Sequence, residues 1–243
     1  MLGFDSQKKS KSIALLLDPD KTRIDLDWIK VINIASPDLI LIGGSQPFPV
    51  ALLDDMVTCL KENCQVPILG FPGDVSQVHP SQDGLLALSV LQSSDPRFIL
   101  SPLFQIAKFI DQHKIPTYFT PYLILGSSGQ TSVEKVLKDK LTPIENIDSL
   151  ASYLLGLKVL NPPCIYLEAG SGAENIINLN YVAWTKNKLP SSYLFAGGGV
   201  RELAQLHELW SAGADCVVVG NWIENDKHAL IDICIERNKI NGH

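Results

Sequence analysis

The stretch CIYLEAGSGAEN, from Cys164 to Asn175, joins an apolar run to a carboxylate and a turn of small residues. The run CIYL is short and continuously apolar, which is typical of a strand that is buried on both faces of a parallel sheet. Glu168 ends the run, and Gly170 and Gly172 follow it closely. The stretch therefore predicts a buried strand whose C-terminal end presents a carboxylate beside a glycine turn.

Seven further stretches share this arrangement, in which a short apolar run is mostly closed by Gly, Asp, Ser or Asn. They are SIALLLDPD, DLILIGGS, VPILGFPGD, GLLALSV, PTYFTPYLIL, SYLFAGGG and DCVVVGN. Between them the apolar residues of 53–60, 150–157 and 203–210 recur at spacings of three and four residues, as in amphipathic helices. The chain therefore alternates strands with helices, which predicts an α/β fold with a parallel sheet.

Eight strand units in 243 residues favour a closed (β/α)8 barrel, the TIM-barrel fold, over a doubly wound open sheet, which is the second choice. One helix is expected to be replaced by an extended loop. After the third strand, VSQVHPSQD carries Pro80 and a polar cluster that break any helical run. No linker divides the sequence, so residues 1–243 are expected to form one modified TIM-barrel domain.

The composition excludes several classes of function. The net charge is −6 and no basic run occurs, so the chain lacks the positive surface that a nucleic-acid partner requires. The five cysteines form no CxxC pair, which indicates a reducing compartment without a disulfide framework or a structural zinc site. The N-terminus has no signal-peptide core, and no stretch of about 18 apolar residues occurs, so no membrane span is expected. We therefore expect a cytoplasmic protein.

Glycine-rich loops follow the last three predicted strands, in YLEAGSG, AGGGVRE and VVVGN. Glycines let backbone N–H groups approach an anion closely, and the N-terminus of a following helix adds partial positive charge. The loops after strands seven and eight are the usual phosphate site of a TIM barrel. A single glycine-rich loop is equally well explained as a plain connection between a strand and a helix. Three such loops on adjacent strands instead predict a phosphate-binding site.

Oxygen ligands follow the first two strands, where Asp18 ends one apolar run and Ser45 ends the next. Mg²⁺ takes one or two protein oxygens and completes its shell with waters and phosphate oxygens, so this sparse pair fits a magnesium site. Asp20 is better explained as the cap of a turn or helix. Lys21 either faces a diphosphate or is simply solvated, and Asp74 either joins the site or is an ordinary loop residue.

No motif points to another catalytic machinery. The five histidines fall on predicted loops or helix surfaces, and no Ser-His-Asp order, P-loop or dinucleotide-binding glycine motif is present. No histidine therefore competes with Glu168 for the role of proton acceptor. The mouth of the barrel is expected to be apolar near Phe71, Phe104, Phe119 and Tyr122.

The stretches ALLLDPDK, LILIGGS, YLEAGSGA, LFAGGGVR and GADCVVVGN resemble the geranylgeranylglyceryl phosphate synthase family, which includes the heptaprenylglyceryl phosphate synthases. They run from residue 14 to residue 221, so the resemblance covers nearly the whole chain. LDPD followed by GGS is similar to the larger, archaeal-type branch, whereas the heptaprenyl branch has a lysine at the position of Leu16. The segments 95–105 and 129–149 match the family pattern only loosely.

The resemblance implies a prenyltransferase of ether-lipid and phospholipid biosynthesis on a modified TIM barrel. It would join the 3-hydroxyl of sn-glycerol 1-phosphate to a polyprenyl diphosphate, with geranylgeranyl diphosphate as the expected donor. Mg²⁺ on Asp18 and Ser45 would assist the departure of the diphosphate, and Glu168 would act as the base. The glycerol phosphate site would comprise Tyr166, Leu167, Glu168, Ala169, Gly170, Ser171, Gly172, Gly197, Gly198, Gly220 and Asn221.

Two other interpretations remain open at this point. Another phosphate-binding barrel, such as an isomerase or an indole-type synthase, would use Asp18 and Glu168 as an opposing acid and base. A barrel that binds polyprenyl phosphates without turnover would keep the same residues. We also expect a homo-oligomer, with exposed apolar positions around Tyr153, Leu154 and Leu157 as a candidate interface.

Overall fold

A computed structural model describes Phe4, residues 10–125 and residues 140–242 of the chain. Eight parallel strands close into a barrel in the order β1 to β8, and β1 pairs with both β2 and β8. The strands are β1 Ser12–Leu17, β2 Leu39–Ile42, β3 Ile68–Gly70, β4 Gly84–Val90, β5 Thr117–Ile124, β6 Cys164–Glu168, β7 Tyr193–Gly197 and β8 Cys216–Val219. Each lies within one of the predicted stretches, so the closed TIM barrel is confirmed and the open sheet is wrong.

Helices pack around the outside of the barrel. They are α1 Leu26–Ala35, α2 Val50–Asn63, α3 Ser101–His113, α4 Ile147–Leu160, α5 Leu179–Lys188, α6 Leu203–Ala212, α7 Asn221–Asn225 and α8 Ala229–Asn241. The residues between β3 and β4 contain only the 3-10 turn Val75–Gln77, so the predicted extended segment in place of a helix is confirmed. In the part of the chain that the structure describes, no helix is long and apolar enough to cross a membrane.

Two apolar layers hold the barrel together. Along β6, Tyr166 points into the barrel, whereas Ile165 and Leu167 pack against the outer helices. Burial of both faces is the reason that the strands are continuously apolar in sequence. At the N-terminal end of the barrel, Phe4 packs into the interior with its ring centroid 4.6 Å from that of Tyr118.

Three aspartates close the same end of the barrel by a shared arrangement. Asp38, Asp83 and Asp215 directly precede β2, β4 and β8, and each carboxylate accepts an N–H from the preceding strand at 2.7–2.8 Å. Each carboxylate also pairs with a cation from an outer helix. The cations are Arg237 of α8, Lys61 of α2 and Lys186 of α5. These contacts therefore tie neighbouring strands to the helix layer.

Of the three apolar positions suggested for a subunit interface, two are buried, and Tyr153 is partly buried against the same core. Leu154 and Leu157 are each 1% exposed and pack against the barrel, so this part of the interface prediction is wrong. Their spacing of three residues is that of the core-facing side of α4. The exposed large apolar residues of α4 are instead Ile147, Leu155, Val159 and Leu160. The homo-oligomer itself stays a prediction.

We expect Arg237→Ala to lower the free energy of unfolding by about 3 kcal/mol, near the lower end for broken buried ion pairs, because Asp38 is partly exposed. The Arg237 guanidinium also donates to Ser36 O at 3.0 Å, so the substitution removes a second contact between α8 and the segment before β2. Urea denaturation measures the difference. Lys239→Ala, on the same helix, is the control, because its ion pair with Glu236 is exposed. The control should change stability by less than about 0.5 kcal/mol, and equal effects of the two substitutions would contradict the prediction.

Candidate functional site

The predicted site residues lie at the C-terminal ends of the strands, at one mouth of the barrel. Asp18 follows β1, Ser45 follows β2, and Glu168 is the last residue of β6. All three line one groove, together with Lys21 and Asp74. Parallel strands bring their C-terminal ends to one side, which is why residues far apart in sequence share a cavity.

The carboxylate of Glu168 is buried and yet surrounded by hydrogen-bond donors. The Gly170 N–H donates to Oε1 at 2.6 Å, and the Tyr122 hydroxyl donates to Oε2 at 2.9 Å. The Tyr166 hydroxyl is a third partner. Burial raises the pKa of Glu168 above its ordinary value, while these hydrogen bonds oppose the rise. The group is therefore a better proton acceptor than a solvated glutamate.

Tyr122 and Tyr166 stand beside Glu168 as fixed donors. Their rings are stacked with centroids 5.0 Å apart, and both residues are buried. Burial, and then the charge of Glu168, raises the pKa of both phenols well above the ordinary value, so both keep their protons. Phe71 extends the cluster, with its ring centroid 5.1 Å from that of Tyr166 and 6.1 Å from that of Tyr122. The aromatic residues hold the carboxylate in one place.

The end of β7 and the loop after it form the wall behind Glu168. Gly198 has a φ of 85°, a left-handed conformation that favours glycine. A Cβ atom there would collide with Glu168 Oε1 and would lie 2.7 Å from the Gly170 nitrogen. Gly197 packs directly against the Tyr166 hydroxyl. A larger residue at Gly198 would push the loops after β6 and β7 apart, and one at Gly197 would displace the Tyr166 hydroxyl.

A second, smaller cavity adjoins the groove and shares Glu168 and Ser171 with it. It is bounded by the loops after β6, β7 and β8, where the sequence predicted a phosphate site. Its lining residues are Leu16, Tyr166, Glu168, Ser171, Gly172, Ala173, Gly198, Gly199, Val200, Arg201, Val218, Gly220 and Asn221. Ser171 Oγ donates to Asn221 Oδ1 at 3.1 Å, which joins the first of these loops to the third. The glycine loops and the concave shape suit a small anion.

Arg201 lines this cavity and was not among the predicted site residues. Its Nη2 donates to Ala173 O at 2.7 Å, which holds the guanidinium at the edge of the cavity. The signal was present in AGGGVRE, since a cation directly after a glycine loop suits an anion. In contrast, the side chains of Leu167 and Ala169 are buried in the core between barrel and helices. Neither residue lines the groove or the cavity, so their assignment to the substrate site is wrong for the side chains.

The carboxylate of Asp18 lies against the loop after β2. A Cβ atom on Gly44 would approach Asp18 Oδ1 to 2.7 Å, so the loop and the carboxylate are in direct contact. Ser45, the next residue, lines the groove. Asp18 Oδ2 pairs with Lys21 Nζ at 3.4 Å, and Oδ1 accepts the Asp20 N–H at 3.1 Å. Asp20 is exposed in the turn after β1, but the carboxylate that accepts a backbone N–H there is that of Asp18, whereas Lys21 lines the groove.

The oxygen atoms of Asp18 and Ser45 suit a hard cation such as Mg²⁺. The Asp18 side chain is 13% exposed and lines the groove. Across residues 10–125 and 140–242 no three His, Cys, Asp or Glu side chains cluster in a way that could hold a metal ion. Asp74 Oδ1 accepts the Ser76 N–H at 2.9 Å, which is an ordinary cap of the 3-10 turn.

Beyond Asp18 and Glu168 the groove continues as an apolar channel. This channel runs between β4, the 3-10 turn Val75–Gln77 and α3. Its walls there are Ala87, Leu88, Val90, Phe98, Pro102, Leu103 and Ile106. Phe71 and Tyr122 line the groove as predicted. The prediction is wrong for Phe104, which is 73% exposed on α3, and for Phe119. Because strand side chains alternate, Phe119 points away from the barrel interior that Tyr118 and Tyr122 face.

Of the two segments that match the family pattern loosely, 95–105 borders the groove. The segment 95–105 supplies part of the apolar wall and also places Arg97 at the groove. Arg97 is paired with Asp95, whose pKa it and Lys140 hold well below the usual range. Residues 129–139 of the other segment lie outside the described residues.

The sequence profile of the PcrB family matches residues 6–238. The chain belongs to the PcrB family. A geranylgeranylglyceryl phosphate synthase of Flavobacterium johnsoniae is 32% identical over 220 residues, which cover 90% of each chain. One of Sulfolobus acidocaldarius is 33% identical over 230 residues, which cover 93% of this chain and 88% of the relative.

A solved structure allows a comparison in three dimensions. The (S)-3-O-geranylgeranylglyceryl phosphate synthase of Thermoplasma acidophilum, in complex with its substrate sn-glycerol 1-phosphate, has a TM-score of 0.84 to this chain at 25% identity. The match covers 95% of this chain and 94% of that chain. This PcrB-family chain therefore shares its barrel, over nearly its whole length, with a structure that holds a phosphate ester.

We expect Tyr122→Phe to raise the pKa of Glu168 further, because it removes a hydrogen bond that stabilises the carboxylate. Titration of isotope-labelled glutamate by carbon-13 NMR measures the change. Tyr181→Phe is the matched control, since the Tyr181 hydroxyl lies 3.5 Å from Glu145 O on an exposed surface. The control should leave the Glu168 titration unchanged. An unchanged or lower pKa in Tyr122→Phe would show that the phenol does not stabilise the charged form.

Proposed function

We propose that this PcrB-family protein is a prenyltransferase that forms an ether bond between the 3-hydroxyl of sn-glycerol 1-phosphate and a polyprenyl diphosphate. The observation that carries the proposal is the apolar groove, which starts at Asp18 and Glu168 and runs out past Phe98 and Ile106. A barrel enzyme that acts only on sugar phosphates needs no apolar channel of this kind. The relatives named above are geranylgeranylglyceryl phosphate synthases, which supports the same activity.

The smaller cavity receives the glycerol phosphate in this proposal. Glycine loops after β6, β7 and β8 offer their N–H groups to the phosphate, and Arg201 adds positive charge at the edge. Glu168 borders both this cavity and the groove, so the glycerol hydroxyl meets the carboxylate where the prenyl donor enters. Holding the two substrates on either side of one residue replaces a chance encounter by a fixed geometry.

The reaction exchanges one carbon–oxygen bond for another. The bond between C1 of the prenyl chain and the diphosphate breaks, and the diphosphate leaves with the electron pair. The 3-hydroxyl oxygen of the glycerol then bonds to C1, and its proton passes to Glu168. Departure of the diphosphate leaves an allylic cation at C1 of the prenyl chain. The apolar groove excludes water that would otherwise capture this cation. Asp18 and Ser45 would hold Mg²⁺, which would supply positive charge to stabilise the departing diphosphate.

The proposal predicts an ether lipid from sn-glycerol 1-phosphate and geranylgeranyl diphosphate, with this donor preferred because LDPD and GGS resemble the archaeal-type branch. Incubation with donors from farnesyl to heptaprenyl diphosphate, followed by lipid extraction and mass spectrometry, measures the preference. A higher kcat/KM for heptaprenyl diphosphate than for geranylgeranyl diphosphate would show that the predicted donor is wrong. Absence of an ether lipid with every donor would refute the activity. In that case prenyl diphosphate binding without turnover, or turnover of a sugar phosphate, would favour the other two interpretations.

We expect Glu168→Gln to lower kcat by about 10²- to 10⁴-fold, because it removes the proton acceptor, and to weaken binding of sn-glycerol 1-phosphate as well. Steady-state kinetics and calorimetry measure the two effects. Asp18→Asn is the comparison on the other side of the mouth. It should greatly reduce turnover while binding of sn-glycerol 1-phosphate largely survives. A Glu168→Gln variant within about threefold of the wild-type kcat would rule out the catalytic role.

A further inference from the structure

Gln77 is a buried polar residue that the proposed chemistry does not use. It ends the 3-10 turn Val75–Gln77, within the extended segment that replaces a helix between β3 and β4, and it is 0% exposed. Burial of an amide is unfavourable unless its polar atoms are hydrogen-bonded. The bonds that Gln77 makes therefore indicate its role.

The side-chain amide of Gln77 is bonded to two loops of the mouth. Its Oε1 accepts the Gly44 N–H at 3.1 Å and the Gly73 N–H at 2.9 Å. Its Nε2 donates to Gln46 O at 2.8 Å. Two N–H donors at one end and a carbonyl at the other determine the orientation of the amide. Gln77 thus holds the chain on both sides of Ser45.

The loop that Gln77 holds is enclosed from two directions. On one side Gly44 touches the Asp18 carboxylate, as described above. On the other side, a Cβ atom on Gly73 would collide with Gly44 O and lie 3.3 Å from Ser45 Cα. The carboxylate and the two loops are therefore stacked without space between them. The position of Ser45 relative to Asp18 depends on the hydrogen bonds that hold this stack.

We infer that Gln77 is a positioning residue for Asp18 and Ser45, and through them for Mg²⁺ and the diphosphate. The inference rests on the proposed function and adds a reason for the missing helix. The helices of such a barrel run along its outside, antiparallel to the strands. The extended segment instead keeps residue 77 at the mouth, where its amide reaches the loops after β2 and β3.

Gln77→Met removes all three hydrogen bonds while nearly keeping the length of the side chain. We expect Mg²⁺-dependent binding of inorganic pyrophosphate, measured by isothermal titration calorimetry, to weaken by about 10- to 100-fold, the usual range for residues behind metal ligands. Binding of sn-glycerol 1-phosphate, in the cavity on the other side of Glu168, is expected to stay within about twofold of wild type. A general loss of structure would instead weaken the binding of pyrophosphate and of sn-glycerol 1-phosphate alike.

Gln92 offers a matched control. It is 1% exposed, does not line the groove, and likewise makes three side-chain hydrogen bonds, to Ile124 and Thr142. Gln92→Met therefore creates the same kind of buried defect away from Asp18 and Ser45. We expect it to lower the melting temperature to a similar extent and to leave Mg²⁺-dependent pyrophosphate binding unchanged.

Two outcomes would overturn the role of Gln77. One is pyrophosphate binding within about threefold of wild type in folded Gln77→Met, and the other is an equal loss in Gln92→Met. If Gln77→Met does not fold, Gln77→Asn takes its place with the same expectation, since its amide is one methylene too short to reach both loops. Failure of the wild-type protein to bind pyrophosphate with Mg²⁺ would refute the metal site itself, and the positioning role with it. That outcome is distinct from a variant that binds as well as wild type.

Discussion

The mouth of this barrel depends on keeping one carboxylate, that of Glu168, in a place from which water is excluded. Burial raises its pKa, and the Gly170 N–H and the hydroxyls of Tyr122 and Tyr166 oppose the rise. The folded protein therefore binds this proton more tightly than the unfolded chain does. As a result, the free energy of unfolding falls as the pH rises from the ordinary glutamate pKa to the raised value. The stacked tyrosines and the close approach of Gly198 are the structural means of holding a group that the fold would otherwise disfavour.

Glu168 also divides the mouth into two halves with different chemistry. One half is a small cavity of glycine loops with Arg201 at its edge, suited to a phosphate. The other is a groove that begins with Asp18 and Ser45 and becomes apolar between β4 and α3. The extended segment between β3 and β4 contributes to the wall of the groove and also holds the loop after β2. Val75 of its 3-10 turn lines the groove, and Gln77 of the same turn holds the loop that carries Ser45.

The errors of sequence-based prediction at this site have physical causes. Phe119 was expected at the mouth, but strand side chains alternate, and the face that each residue takes depends on how the strand is placed in the barrel. Leu154 and Leu157 have the spacing of an apolar helix face, and that face packs on the barrel instead of on a partner. Arg201 was missed although AGGGVRE places a cation after a glycine loop. Gln77 was missed because its partners are backbone groups of other loops, which no local pattern reveals.

Fold class and family follow from the amino-acid sequence alone. Eight short apolar runs can be buried on both faces only in a parallel sheet covered by helices, and each run ends in the glycines or polar residues that a mouth requires. Asp18, Ser45 and Glu168 stand at such ends and could be named without coordinates. The environment of these three residues could not be predicted from the sequence. Burial of Glu168, its contact with Tyr122 and the bonding of Gln77 arise only when the closed barrel brings distant loops together, because hydrogen bonding and desolvation depend on neighbours in space and not on neighbours in sequence.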